Sequence, residues 1–257
     1  MKKSFTLIRW SSILALLFMI SSCDKQTDDT QYDKPADYYP LQIGKYIIYR
    51  LDSTRFVNFG QDEDIVSYQA KDIVQATTTD LLGRPTWRIQ RYLRPLNSTN
   101  ERDWKENIAY EVTPGDNTLE LYENNLRFIK MQGPIKEGHN WSGNGFLPDQ
   151  PYSQYEFSAA VSIQFWDYTI DETGMSTELN GKNYDNTITI TQINDSSNVP
   201  VIEPNRVGQK TVWIEKYAKD IGLIYKDAII WEYQPPATDP QGKKIGFGIR
   251  LSILDHN

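Results

Sequence analysis

The sequence predicts an all-β fold. We expect a single antiparallel β domain whose strongly curved sheet forms an open barrel or a sandwich of about ten strands, with few or no helices. Three observations predict it: apolar residues alternate with polar ones, turn residues separate the alternating segments, and Tyr (16 residues) outnumbers Phe (9 residues) among many Thr and Ile. A chain of this length buries about 70% of its unfolded surface, so it needs no metal or disulfide for stability.

The clearest alternation covers residues 157–165, and it predicts a long strand with one buried face. Residues 187–191 and 247–253 alternate in the same way, and Leu119 and Leu121 bracket Glu120. Further strands are predicted at 45–56, 64–76, 85–93, 103–113, 125–131, 210–217 and 222–233.

The segments between these strands carry turn residues. Residues 82–85, 114–117 and 180–182 contain the Gly, Pro and Asn that are typical of turns. Residues 235–242 begin with two prolines and predict a hairpin loop before the last strand. The best helix candidate is residues 100–110, although a strand is favoured there.

The N-terminus has the features of a secretory signal peptide. Lys2, Lys3 and Arg9 are followed by an apolar run from Ile13 to Ile20. This run is too short for a permanent membrane span, which needs roughly 20 apolar residues. Residues 1–22 are therefore predicted to be removed on export.

The signal peptide ends in Ile20-Ser21-Ser22-Cys23, which resembles the lipobox of bacterial lipoproteins. We expect cleavage between Ser22 and Cys23, attachment of diacylglycerol to the Cys23 thiol, and palmitate as an acyl chain of this lipid anchor. The alternative is an ordinary signal peptide followed by a chance cysteine. Cys23 is the only cysteine in the chain, so it cannot form an intramolecular disulfide, and lipidation explains its presence. Two or three acyl chains would make the attachment effectively permanent.

This targeting predicts three regions: the signal peptide 1–22, a flexible acidic tether 23–37 and a β domain 38–257. The protein would lie outside the cytoplasm and be held at the outer membrane, on its periplasmic face or at the cell surface. Acidic residues just after Cys23, such as Asp24, Asp28 and Asp29, resemble surface-export signals of some bacteria. A merely solvated linker explains them equally well.

The charge of the mature chain restricts its partners. Loss of Lys2, Lys3 and Arg9 with the signal peptide changes the net charge from −7 to −10. Nucleic acids and anionic lipid surfaces bind clusters of Lys and Arg, so the acidic surface argues against both. The one repeated basic feature, formed by Arg84, Arg88, Arg91 and Arg94, is interpreted as the solvated side of a strand.

No motif in the sequence predicts catalysis, and no cofactor is expected. The chain has two histidines, His139 and His256, which is too few for a typical zinc site. The patterns H-E-x-x-H and G-x-S-x-G do not occur. Residues 62–64, Asp-Glu-Asp, are read as an exposed hairpin loop rather than a calcium site. The aromatic stretch 152–168, flanked by Asp149, Glu156 and Asp167, is either core or a sugar-binding face.

Ser53 is the remaining candidate site. The tripeptide Asp52-Ser53-Thr54 matches the short O-glycosylation sequon of the Bacteroidota. Export would place Ser53 in the compartment where this modification occurs. A three-residue pattern also arises often by chance.

Four segments resemble a group of uncharacterised Bacteroidota envelope lipoproteins. The first is 38–49, which begins Tyr-Tyr-Pro-Leu-Gln-Ile-Gly-Lys-Tyr and resembles that group's first strand. The others are 128–144, 180–188 and 217–225, the last with the sequence Tyr-Ala-Lys-Asp-Ile-Gly-Leu-Ile-Tyr. The resemblance implies an antiparallel β domain on an envelope lipoprotein. It implies no activity.

Three functions remain open from the sequence. The first is a non-enzymatic binding or assembly module, anchored through lipid on Cys23 and recognising an envelope protein or a glycan. The second is a carrier that holds a hydrophobic ligand in a half-barrel. The third is a glycan hydrolase that uses two carboxylates. The absence of catalytic motifs favours the first.

Overall fold

A computed structural model describes residues 31–157, 162–236 and 241–257. These residues form one antiparallel sheet of twelve strands that nearly closes into a barrel, together with short 3-10 turns. The all-β prediction is confirmed. The strands are β1 (Tyr46–Val57), β2 (Asp62–Thr79), β3 (Pro85–Pro95), β4 (Lys105–Pro114), β5 (Thr118–Glu123), β6 (Leu126–Gln132), β7 (Asn140–Trp141), β8 (Tyr168–Leu179), β9 (Lys182–Ser197), β10 (Gly208–Ala218), β11 (Gly222–Gln234) and β12 (Lys243–His256).

The sheet consists of two six-stranded meanders. Its order is β6-β5-β4-β3-β2-β1-β12-β11-β10-β9-β8-β7, so the first and last strands join the two meanders. In that junction, Leu51 of β1 lies opposite Leu251 of β12, and both are buried. Because side chains alternate across a strand, this register places the apolar positions of both strands on the inner face.

The two ends of the sheet order, β6 and β7, meet at a seam. The Ile129 amide donates to the Gly143 carbonyl over 2.8 Å, and the Trp141 indole N–H donates to the Ile129 carbonyl over 2.8 Å. Trp141 itself is buried and packs against Tyr168. One backbone bond and one side-chain bond therefore bring the sheet close to closure.

The inner face is filled by side chains. The main core contains Tyr110, Met131, Ile190 and Tyr217 from four different strands. A second cluster lies between β1, β2, β11 and β12, and a third includes Ile230 of β11. The connection between β7 and β8 contributes to the third cluster: Leu147, Tyr152, Ile163 and Trp166 pack there with Phe128 and Phe247.

The prediction of a strand at 157–165 is wrong. Residues Ile163–Phe165 form a 3-10 turn, Phe157 lies outside any strand, and 158–161 are not among the described residues. The alternation does not mark one face, because Ile163 is 3% exposed whereas Phe165 is 75% exposed. Apolar side chains here pack onto the inner face of existing strands, which requires no pairing of their backbone. The strand that does form, β8, and the two-residue β7 were not predicted.

The other predicted strands and turns agree with the structure to within a few residues. The predicted helix alternative at 100–110 is mostly β4, after a 3-10 turn at Glu101–Asp103. Of residues 38–49, which resemble a first strand, the last four belong to one: β1 begins at Tyr46, after a 3-10 turn at Pro35–Tyr38.

The compact unit begins at Tyr32, earlier than the predicted domain start. Asp33 forms an ion pair with Lys219 over 2.6 Å, and the Asp220 amide donates to the Asp37 carbonyl over 2.8 Å. The last residues of the predicted tether therefore pack on the domain. The signal peptide, Ser22 and Cys23 lie outside the described residues. In the part of the chain that is described, no helix has the length and apolarity to cross a membrane.

Candidate functional site

A cavity of about 440 Å³ lies beside the turn between β2 and β3, and we call it the hairpin groove. Its floor is the outer face of β4 and β5. Val112 and Leu119 of these strands point into the core, so their neighbours Glu111, Thr113 and Glu120 point outward. The groove is lined by Thr79, Asp80, Leu81, Leu82, Arg84, Glu111, Thr113, Glu120, Leu121, Tyr122 and Arg127.

Asp80 fixes the turn that forms one wall of the groove. Its carboxylate accepts hydrogen bonds from the amides of Leu82 (2.9 Å) and Arg84 (2.8 Å) and from the Arg84 guanidinium (2.6 Å). The bond from the Arg84 amide is the main cause of a lowered Asp80 pKa. An aspartate that accepts bonds from residues following it is a common way to hold a tight turn.

A charged network crosses the groove. Arg84 donates to both carboxylate oxygens of Glu120, over 2.8 and 2.9 Å, and Arg127 approaches Glu120 to 2.8 Å. The hydrogen bond from Arg84 is the largest contribution to the pKa of Glu120, which is lowered despite partial burial. Glu120 is therefore ionised at neutral pH and already occupied by two arginines. Such a bidentate pair is a geometrically specific contact.

Four apolar side chains surround this network and are exposed. Leu81 and Leu82 at the turn are 105% and 74% exposed, and Tyr122 and Phe146 are 47% and 53% exposed. The Arg127 guanidinium lies 3.9 Å from the centre of the Phe146 ring, a cation–π contact. The groove thus combines a fixed polar centre with an apolar rim.

Glu111 differs from the other charged residues of the groove. It is half-buried in the lining and makes no hydrogen bond or ion pair with the residues that the structure describes. Arg88 lies opposite Glu111 in the pairing of β3 and β4, yet the two form no ion pair. Glu111 is therefore an unpaired anion at the floor of the groove.

A second set of charges lies inside the sheet. The ammonium of Lys130 contacts both oxygens of Glu215, at 2.7 and 2.6 Å, while Lys226 lies 3.5 Å away and the Tyr217 hydroxyl donates to Glu215 over 2.8 Å. Asp72, Arg91 and Tyr110 form a similar group. These groups bond to one another on the inner face of the sheet, where Lys226 and Arg91 are partly exposed and their partners are buried, so we interpret them as structural.

The prediction that the arginines at 84–94 form the solvated side of a strand is wrong for most of them, and Arg84 lies in the turn before β3. Arg91 forms an ion pair with Asp72, Arg94 stacks on Trp104 at 4.3 Å, and Arg84 belongs to the groove. Of the four, Arg88 is the one that is exposed as predicted. A single strand contributes arginines to both faces, and the partners of Arg84 and Arg91 lie in distant parts of the sequence.

Ser53 lies in the middle of β1, half-buried, with Val66 and Ile249 as its cross-strand neighbours. It shares the inner face of β1 with Leu51. O-glycosylation of Ser53 stays a prediction, and this position offers little room for a glycan on the folded chain.

The other residues singled out from the sequence do not converge. Residues 62–64 begin β2 directly after the hairpin turn, where Asp64 pairs with Arg55 and Glu63 with Lys244. His139 stacks on Trp141, whereas His256 lies at the end of β12 beside Tyr184. In the described ranges, no three His, Cys, Asp or Glu side chains are placed to hold a metal ion. Tyr152 and Trp166 pack against Trp213, so that aromatic stretch is largely core.

No protein-family model matches the chain, and no curated protein matches it. The groove was not found from the sequence because its charged residues lie on four different elements: the turn between β2 and β3, β4, β5 and β6. The one local signal was the predicted turn at 82–85, where Leu81 and Leu82 precede Gly83 at positions where polar residues are usual.

Proposed function

We propose that the protein is a lipid-anchored, non-enzymatic binding or assembly module of the cell envelope, and that it binds its partner in the hairpin groove. The observation that carries this proposal is the pair of exposed leucines, Leu81 and Leu82, beside the fixed Arg84–Glu120–Arg127 network. Apolar side chains grouped around arginine and tyrosine are typical of the energetic centres of interfaces. The volume of the groove is in the range of ligand sites.

The rigidity of the groove supports a binding role. Asp80 holds the turn with three hydrogen bonds, and Glu120 forms ion pairs with two arginines. The turn and these side chains therefore lose little conformational freedom when a partner binds. Sites that are organised before binding lose less conformational entropy, which raises affinity.

The position of the groove supports a partner within the envelope. Tyr46, the first residue of β1, pairs with Ile73 of β2, and β2 continues from there to the turn that forms the groove. The groove is therefore at the end of the sheet where the chain enters the domain. A lipid on Cys23 would keep the domain near the membrane, and therefore close to other envelope proteins.

The two alternative functions receive less support. A carrier needs an apolar hollow, whereas the described inner face carries packed side chains together with the buried charges of Lys130, Glu215 and Asp72. A glycoside hydrolase needs a carboxylic acid that keeps its proton near neutral pH. The pKa values of Asp80 and Glu120, the groove carboxyls with a displaced pKa, are both lowered.

Site-specific photo-crosslinking in the native host tests the proposal. A photoreactive phenylalanine analogue would replace Leu82 in the full-length protein. The control is Ile65, which is 57% exposed and lies toward the other end of β2, roughly 45 Å away. We expect a discrete adduct from position 82 and none from position 65. Equal labelling at both positions, or no adduct at 82 under several growth conditions, would refute binding at the groove.

A further inference from the structure

The groups left unsatisfied in the hairpin groove define the chemistry of its occupant. Arg84 and Glu120 are bound to each other, and Asp80 is bound to its own turn. Those side chains have little hydrogen-bonding capacity to offer a ligand. The anion Glu111 and the apolar side chains of the rim remain free to make contacts.

The charge of the groove favours a cationic group. Its lining contains the anions Asp80, Glu111 and Glu120 and the cations Arg84 and Arg127, which leaves a net charge of −1 that resides on Glu111. The mature chain is acidic as well, since its net charge is −10 once Lys2, Lys3 and Arg9 are removed. Burial of a carboxylate beside a ligand is costly unless that carboxylate gains a partner, and an ammonium or guanidinium provides one.

The rim favours a polypeptide over a glycan. Leu81 and Leu82 present aliphatic surface, which matches apolar side chains. A sugar needs an aromatic platform and free polar side chains around it. Tyr122 provides a ring in the lining, the Phe146 ring at the rim is in contact with the Arg127 guanidinium, and most of the polar groups near them are already bonded.

We infer that the hairpin groove binds a protein segment in which a Lys or Arg lies next to apolar residues. The basic side chain pairs with Glu111 on the floor, and the apolar side chains pack on Leu81, Leu82 and the Tyr122 ring. The inference rests on the proposed function, because it specifies the partner of that same groove.

A selection with displayed peptides tests this chemistry. Immobilised full-length protein is exposed to a library of random peptides of about 12 residues, and an oligosaccharide array is probed in parallel. Recovered peptides are synthesised, and their affinity is measured for the native protein and for Glu111→Gln and Leu82→Ser. Matched controls are Glu106→Gln, an exposed glutamate of the same strand outside the groove, and Ile65→Ser. Unchanged thermal melting shows that each variant is folded.

The expected result is a set of peptides with Lys or Arg beside Leu, Ile or Phe. Their affinity should fall about tenfold in Glu111→Gln, the loss of one charge-assisted contact, and should also fall in Leu82→Ser. The control variants should bind like the native protein. Peptides or sugars whose affinity falls in Leu82→Ser but is unchanged in Glu111→Gln would overturn the inference. The proposed function would then still stand. Ligands whose affinity is unchanged in both variants would refute the groove as the binding site, and with it the proposed function.

Discussion

Lys130 and Glu215 form a buried ion pair across the inside of the sheet, with their charged atoms 2.6 Å apart and both side chains almost fully buried. Lys130 belongs to β6 and Glu215 to β10, so the pair links the two six-stranded meanders. Lys226 and Tyr217 also contact Glu215, so the glutamate has three partners, whereas Lys130 has one carboxylate.

This asymmetry predicts which of two substitutions lowers the unfolding free energy more. Glu215→Gln leaves two ammonium groups inside the sheet without a carboxylate, so we expect a loss of roughly 3–5 kcal/mol in unfolding free energy. Lys130→Met should cost less, because Glu215 keeps Lys226 and Tyr217. The double variant should cost less than the sum of the two. Urea unfolding measures these differences, with Glu203→Gln in an exposed ion pair as the control, for which about 0.5 kcal/mol or less is expected. Equal losses in the two single variants would contradict the asymmetry.

The Lys130–Glu215 pair also predicts how the stability of the fold changes as the pH becomes acidic. Burial raises the pKa of Glu215, but the charges of Lys130 and Lys226 and two hydrogen bonds outweigh it and lower the pKa to about 2. A glutamate in the unfolded chain titrates near pH 4.3. Because the folded pKa is the lower one, Glu215 stabilises the fold above about pH 4.3, and this contribution is lost as the pH falls toward 2.

Unfolding free energies measured in urea between pH 5 and pH 2 check this sign, over a window of about three pH units. The native protein should lose stability more steeply than Glu215→Gln, so their difference should shrink as the solution becomes more acidic. A difference that is constant over this range would show that Glu215 does not titrate with folding.

The strands could be predicted from the sequence because burial on one face of a strand leaves a period-two pattern. Leu51 and Leu251 carry that pattern, and they meet in the observed register. The stretch 157–165 carries the same pattern without being a strand. Apolar residues that fill the inner face from a connection satisfy the same hydrophobic requirement, and a single sequence does not distinguish the two cases.

The charged contacts could not be predicted, because each depends on the proximity of distant segments. Lys130 lies two residues after Phe128 and shares its inner face, which is unfavourable for an ammonium unless a carboxylate is near. Its partner is 85 residues away in the sequence. Arg84 and Glu120 of the groove are 36 residues apart. Their proximity follows from the order of the strands, which the pattern of one chain does not specify.

Gly246 is predicted to be intolerant of any side chain. Its φ is +122°, and a Cβ atom would overlap the carbonyl oxygen of Ile230 in β11. Gly246→Ala should therefore destabilise the protein by about 2 kcal/mol or more, since backbone strain and the clash both contribute. The control is Gly44→Ala, where φ is +88° but no atom lies within 4 Å of the added carbon, and about 1 kcal/mol is expected. Thermal unfolding of both variants measures the difference, and equal effects would show that strain alone matters.

Cys23→Ala should abolish the lipid attachment of the protein. The predicted lipobox makes Cys23 the only site of lipid attachment, so the variant should lose incorporation of labelled palmitate. It should also keep an uncleaved signal peptide or appear in the soluble extracytoplasmic fraction. Membrane fractionation and intact mass measure both effects, and Ser22→Ala, which keeps a small residue before the cysteine, is the control. Full membrane retention and labelling of Cys23→Ala would exclude lipidation at this position.

Trp141 is predicted to control the seam between β6 and β7. Its indole N–H donates to the Ile129 carbonyl, while the Ile129 amide donates to Gly143. Trp141→Phe keeps an aromatic ring against Tyr168 but removes the first bond, at a cost of about 1 kcal/mol. Because so few hydrogen bonds hold the seam, we expect the loss to be local, with the Ile129 amide exchanging its hydrogen about fivefold faster.

Native-state hydrogen exchange resolves this prediction residue by residue. The amide of Leu51 is the internal reference, because β1 is paired on both sides and is remote from the seam in the strand order. Faster exchange at Ile129 with unchanged exchange at Leu51 identifies a seam that opens on its own. Acceleration of both amides by the same factor would mean that the sheet opens only by global unfolding, and that the contact at Trp141 has no separate role in closing it.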